Sequence, residues 1–303
     1  NLHGLSPEIS QKCRQKNITR EILTAAGIPQ PRFVCVNNLT DAKVFLSSLG
    51  GLGVIKATDN SASRGFVKLN STNDLTESVF QLSVSSGTTG FVLIEEALVP
   101  RTDCISELSV ETLWFNGSMY WLNWVDRLFR PDLKFFPDFE LYQENYINWG
   151  VEIGHINPAQ HPIEVKVQVQ EMVYAAGMAL GMGSETGGHI LKADIMLTDS
   201  GPIIIELTPR LSGGWDSSAT TPVRGADFQG GVIHLALGLQ LDLDSWQKYF
   251  EFNNASLYAT ILADIFPNAK DNIGRKFSLG CDFDRSKSFH LSLINLKENK
   301  HVL

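Results

Sequence analysis

Cysteine is scarce. Cys13, Cys35, Cys104 and Cys281 are scattered through 303 residues with no Cys-x-x-Cys pair, which excludes a zinc ribbon or a disulfide framework and fits a reducing, cytoplasmic setting. Basic charge is also short: 25 Lys and Arg stand against 33 Asp and Glu, a formal net charge of −8. A surface built to neutralise nucleic-acid phosphates needs the opposite balance, so no nucleic-acid partner is expected. No apolar run approaches the roughly 20 residues of a membrane-crossing helix, and no membrane partner is expected either. Internal repeats and low-complexity linkers are missing. The first residue is Asn1 and the opening stretch carries no targeting signal. The remainder, 43% apolar and 19% charged, is ordinary folded protein with enough length for two domains or one large composite domain.

The most informative stretch runs from Lys192 to Gly214. A short apolar run from Asp194 to Leu197, the turn residues Thr198 to Pro202, and a second run from Ile203 to Leu207 predict a β-hairpin. Period-two alternation puts Ile204, Glu206 and Thr208 on one face, and hairpin pairing can bring Asp194 opposite Glu206. Facing like charges destabilise a sheet unless a cation lies between them, and oxygen-only ligands suit Mg²⁺. A surface hairpin with two solvated acids accounts for the pattern equally well. Arg210 and the flexible Ser212-Gly213-Gly214 follow at once.

A second stretch, Lys56 to Gly65, is rich in small residues. Such a loop lets backbone N–H groups approach phosphate oxygens while a flanking Lys adds charge, although an ordinary hairpin loop has the same composition. Upstream, Ser10 is positioned to cap a helix with an apolar stripe at Ile18, Ile22, Leu23 and Ala26, stopped by Gly27. A helix capped by Thr40, a strand from Phe91 to Glu96, and paired strands flanking Asn116-Gly117 come next. Residues 126–161 hold no steady period, and a structural or surface role suits His155 and His161 there better than a catalytic one. A long helix with Val165, Val169, Met172, Val173, Ala176 and Leu180 on one face ends at Gly181. Beyond it a loop from Trp215 to Ala226 and a helix to Leu237 are expected, then short strands near Ala255 to Ile265.

The string Asp-x₆-Gly-Pro-x₃-Glu-x-Thr-x-Arg-Leu-Ser-Gly-Gly from Asp194 to Gly214 resembles the metal-binding end of the ATP-grasp superfamily. The likeness is to the branch of carboxylate–amine ligases, L-amino-acid ligases, biotin carboxylase and the carbamoyl-phosphate synthase large chain, and it spans roughly Lys16 to Leu239. It implies an α+β fold in which two lobes, at about 32–93 and 94–241, clasp ATP. It further implies a partial C-terminal subdomain at 242–303 and an N-terminal α/β domain missing from a fragment. The residue roles that follow are those of the family. Asp194, Glu206 and Thr208 would bind Mg²⁺ or Mn²⁺, with Thr208 standing where the family usually has Asn. Lys16 would hold phosphate and Lys56 the α-phosphate, while the lid loop with Ser63, Arg64 and Gly65 closes over the β- and γ-phosphates. Backbone groups of Glu96 and Leu98 would bind adenine, whose amino group donates to Glu95, and Glu107 would bond the ribose. Arg210 would hold the reacting groups. The resemblance thus implies an ATP-dependent carboxylate–amine ligase working through an acyl phosphate on small-molecule substrates, with a homodimer as the expected assembly. Bicarbonate activation of the biotin-carboxylase kind and ATP binding without turnover stand as alternatives.

Overall fold

The computed structural model describes residues 5–60, 64–129, 132, 152–212, 228–240, 242, 259–262, 294–295 and 300–301. Ser63, Gly213-Gly214, the loop at 215–226, most of 126–151 and most of the chain beyond 242 therefore lie outside the described residues.

Two antiparallel sheets organise the chain. The smaller is formed by β1 (Phe33–Val36), β2 (Gly53–Ala57), β3 (Val67–Leu69) and β4 (Val92–Glu96) in the order β1-β4-β2-β3. Helices α3 (Leu39–Ser48) and α4 (Glu77–Ser86) close its core, in which Val36, Leu46, Ile55, Leu69, Phe80 and Ile94 are buried together. Each such side chain contributes about 1.5–3 kcal/mol on burial, and their pooled effect holds this sheet without any disulfide.

The larger sheet contains β5 (Glu107–Phe115), β6 (Ser118–Phe129), β7 (Glu152–Asn157), β8 (Gly188–Thr198), β9 (Gly201–Thr208) and β10 (Ala259–Leu262), in the order β10-β7-β6-β5-β8-β9. One face packs on α1 (Pro7–Arg14), α2 (Lys16–Ala25) and α5 (Ile163–Leu180). The architecture is α+β, as the sequence predicts. In α5 the expected stripe is the buried one, and Gly181 ends the helix in the left-handed region at φ 103°. Its Gly177 is required by close approach: a Cβ there would lie 2.1 Å from the indole of Trp114. The β5–β6 turn is made by Asn116 and Gly117 at φ 48° and 78°, the pair of left-handed residues that a two-residue hairpin needs. The opposite face of the sheet carries helix α6 (Phe228–Ala236), whose Leu235 meets Leu113, Leu122 and Ile190.

Three expectations need correction. The single N-terminal helix is two helices. Ser6, not Ser10, caps the first by accepting from the Ile9 N–H, with Pro7 preset at the first position. The backbone breaks at Gln15 (φ −89°, ψ 102°), and the next N–H, that of Lys16, donates to the Thr58 carbonyl at 2.8 Å. Likewise α3 is capped by Asn38 accepting from Asp41, because Asn caps better than the β-branched Thr40 two residues on. The third correction is the alternation on β9. The β8–β9 ladder pairs Asp194 with Glu206 and Ile195 with Ile204, so Ile205 is an extra, bulged residue. Ile204 therefore lies in the α-helical core with Leu207, not on the face of Glu206.

Candidate active site

The side of the large sheet away from α1, α2 and α5 carries a patch of charge whose layout follows from register. Across β6, β5, β8 and β9 one row reads Val125, Ser109, Asp194, Glu206 and the next Asn123, Glu111, Lys192, Thr208, while Arg127 pairs with Glu107. Alternation along each strand sends these polar residues to one side and the apolar ones between them to the core. Asp194 faces Glu206 as the hairpin reading predicts.

Neither acid is bare. Glu206 Oε1 receives the Lys16 ammonium at 3.0 Å, and the same ammonium donates to the Asn60 carbonyl at the start of the lid loop. Asp194 is bound by Lys192 through one oxygen and lies 3.5 Å from Arg127 through the other. Burial pushes its carboxyl up, but Lys192 and Arg127 outweigh that and hold it at about 2. Arg127 is shared further, pairing with Glu107 and with Glu152 at 2.8 Å. Glu107 moves the other way. Burial, opposed by Arg127 and reinforced by Asp194 and Glu152, raises its carboxyl to about 7.

The second centre lies where α2 and the small sheet meet β9. Glu95, 2% exposed, receives Arg20 Nε at 2.8 Å and Nη2 at 3.2 Å, and the Lys56 ammonium at 2.7 Å. Strand geometry sets this up: Val54 is the direct partner of Glu95, and Lys56, two residues along, shares its face. Burial acts to raise the Glu95 carboxyl, yet Arg20 and Lys56 hold it at about 2. For Lys56 burial dominates and, with the neighbouring Arg20 charge, lowers the ammonium against the pull of Glu95 and Glu206.

The remaining predicted residues are placed as follows. Glu96 ends β4 with its N–H on the Arg32 carbonyl at 2.9 Å and its carboxylate on Arg32 Nε at 2.7 Å. Leu98 is half-buried just beyond. Arg64 is exposed at the lid loop's far end, and Gly65 sits at φ 71°, with its carbonyl accepting from Ser83 Oγ at 2.6 Å. Thr208 is half-buried opposite Lys192. Arg210 is exposed and donates to the Leu211 carbonyl at 2.9 Å. His161 bonds Asp126 at 2.7 Å and His155 contacts Glu152, so both are engaged within the fold. Arg20, Arg127, Glu152 and Lys192 were not singled out in the sequence. Arg20 had a signal, being four residues after Lys16 and three before Leu23, on the inward side of α2.

The donor set suits a hard cation. Among the described residues no group of three or more His, Cys, Asp or Glu is arranged to hold a metal. Mg²⁺, however, is commonly bound by one or two carboxylates with phosphate oxygens and water completing its shell. Asp194 and Glu206, facing each other across adjacent strands, are a pair of carboxylates of that kind.

No protein-family model matches the chain. An uncharacterized protein, y4rH, of Sinorhizobium fredii (strain NBRC 101917 / NGR234) is 25% identical over 251 residues, covering 82% of this chain and 47% of that protein. Among solved structures, the L-amino acid ligase from Bacillus licheniformis superposes with a TM-score of 0.62 at 22% identity, covering 86% of this chain and 55% of that one. The biotin carboxylase domain dimer of the Hydrogenobacter thermophilus 2-oxoglutarate carboxylase, with MgADP, ADP and bicarbonate, gives 0.62 at 17% identity, covering 83% and 50%. The chain thus spans about half the length of the proteins it matches, and the fold it shares with them is the ATP-grasp fold. No described helix is long and apolar enough to cross a membrane.

Proposed function

We propose that this ATP-grasp chain carries the ATP site of a carboxylate–amine ligase. The observation that carries the reading is the facing pair Asp194 and Glu206, with Lys16 on Glu206 and Lys56 close enough to act electrostatically with it. Two acids, two lysines and a small-residue lid suit a nucleoside triphosphate with its divalent ion better than any other ligand class.

The chemistry explains the need for such a site. A carboxylate is a poor acyl donor because oxide would have to leave. Attack of its oxygen on the γ-phosphorus breaks the bond to ADP and forms an acyl phosphate. Amine attack then forms the C–N bond, loses a proton and releases phosphate. Phosphoryl transfer of this kind depends on positioning and charge neutralisation. Lys16 and Lys56 hold phosphate oxygens, Asp194 and Glu206 with Thr208 hold Mg²⁺ or Mn²⁺, and the lid around Ser63, Arg64 and Gly65 excludes water. Glu96, Leu98, Glu95 and Glu107 border the nucleoside, and Arg210 reaches the carboxylate or transferring phosphoryl group through a two-pronged contact. An ion held by these residues would supply positive charge that offsets the charge of the phosphate oxygens.

ADP release measured with a panel of small carboxylates and amines tests the reading. Release that needs one carboxylate and one amine together supports it. A second reading, ATP binding without turnover, is favoured by the neutral Thr208 and by the cations already on Asp194. It predicts Mg·ATP binding with no ADP from any pair. Carboxylate-dependent release with bicarbonate and no amine would instead favour bicarbonate activation.

A further inference from the structure

We infer that Arg20 is a positioning residue that couples the Lys56–Glu95 pair to the facing of Glu206, because one buried guanidinium clamps both Glu95 and the bulge preceding Glu206. The inference rests on the proposed role of Glu206 as a metal-holding acid.

Arg20 is 3% exposed, and apart from a 3.4 Å bond from Nη1 to Gln30 Oε1 its guanidinium donors are divided between two elements. Nε and Nη2 hold the Glu95 carboxylate at the end of β4. Nη1 donates to the Ile204 carbonyl at 3.0 Å, and Nη2 also donates to the Ile205 carbonyl. Successive carbonyls on a regular strand point to opposite edges. Here two in a row turn to the outer edge of β9, because Ile205 is the bulged residue.

The bulge decides where Glu206 points. Ile204 is fully buried in the helical core. Regular alternation from Ile204 would send Glu206 into that same core and Leu207 out of it. The extra residue reverses both: Leu207 is buried at 2% exposure, and Glu206 faces Asp194 and Lys16. Only a planar fork with several donors can satisfy two adjacent carbonyls and a carboxylate together, a geometry Lys cannot copy. The surroundings hold the fork in place. Gln30 Nε2 donates to the Arg20 carbonyl at 2.7 Å, and the Ile204 N–H donates to the Pro29 carbonyl at 3.1 Å.

The test follows amide hydrogen exchange without ligand in the parent chain, Glu95→Gln and Arg20→Lys. The reporter is the segment Ile203 to Thr208 and the control is β6. Glu95→Gln, made in the other sheet, removes the guanidinium's charge partner. It should speed exchange in the reporter about tenfold and leave β6 at the parental rate. Arg20→Lys should do the same. A second readout is the ratio of Mn²⁺·ADP affinity to metal-free ADP affinity. Arg20→Lys should lower it about tenfold, with metal-free ADP binding within about twofold of the parent. Parental exchange in Glu95→Gln overturns the coupling, as does equal acceleration in β6, which makes Arg20 merely structural, or an unchanged affinity ratio. Should the parent chain bind no ADP at all, the proposed function fails, while the exchange result still decides the coupling.

Discussion

Glu107→Gln gives a direct measure of the charge crowding around Arg127. In the fold the Glu107 carboxyl rises from its ordinary 4.5 to about 7, by burial first and then by Asp194 and Glu152 against the pull of Arg127. A raised acid binds its proton more tightly in the folded chain. Its contribution is therefore complete below about pH 4.5 and is lost as pH climbs through about 7. At about 1.4 kcal/mol per pH unit, that interval is worth about 3 kcal/mol. Glu95 and Asp194 have the opposite sign. Held at about 2, they stabilise above their unfolded values and are lost only as pH falls toward 2, so they do not slope between pH 5 and 7. His189, lowered by burial, does slope there, and upward with pH. The difference between parent and variant isolates Glu107. Urea unfolding at half-unit steps from pH 4.5 to 8, without Mg²⁺, should give a Glu107→Gln advantage that grows by about 3 kcal/mol across the range. A pH-independent difference, or one that shrinks as pH rises, refutes the assignment of a protonated, crowded Glu107.

Three further outcomes follow from the site. Mg·ATP at about a hundred times its Kd should stabilise the parent by about 2.7 kcal/mol, seen as a rise in Tm, and Lys56→Ala should remove most of it. Glu206→Gln should cut ADP formation by about a hundredfold or more with the fold intact by circular dichroism, whereas Asp199→Asn in the adjoining turn should leave turnover within about twofold. Arg210 is exposed and bonded only to its neighbour's carbonyl in the described contacts, so Arg210→Lys should leave Tm within about a degree. Turnover should nevertheless drop by about a hundredfold, and a parallel loss of both would assign the arginine to structure instead.

The elements legible in the sequence are those with local signals. Gly181 after the stripe of α5, Asn116-Gly117 between two strands, and the turn before Ile203 each encode their own geometry, whereas the opposition of Asp194 and Glu206 also needs the bulge, since the turn's register alone would set Asp194 against Ile205. The bulge at Ile205 had no such signal, because three successive isoleucines look alike to any alternation rule. It is fixed from outside, by donors on α2. Arg127 lies in a segment without steady period, and its meaning comes from Glu107, Glu152 and Asp194, which reach it from three other strands. Lys192 reads as one charge in an apolar run, yet it is buried against Asp194 two residues along its own strand, with Glu111 of β5 as its cross-strand partner. Pairs across sheets are thus where sequence reasoning runs out, since nothing local distinguishes a solvated charge from a buried one whose partner is 75 residues away, as Glu95 is from Arg20.

Among the described residues β9 is also the last strand of its sheet, and an outermost strand with free backbone groups invites another chain to add itself and begin an aggregate. Here that invitation is withdrawn one residue at a time. Pro202 has no N–H to offer, the Ile204 N–H is already given to Pro29, and the carbonyls of Ile204 and Ile205 are occupied by Arg20. The groups that turn Glu206 toward Asp194 thus also keep the sheet from growing, and loosening them would tend to make the edge sticky.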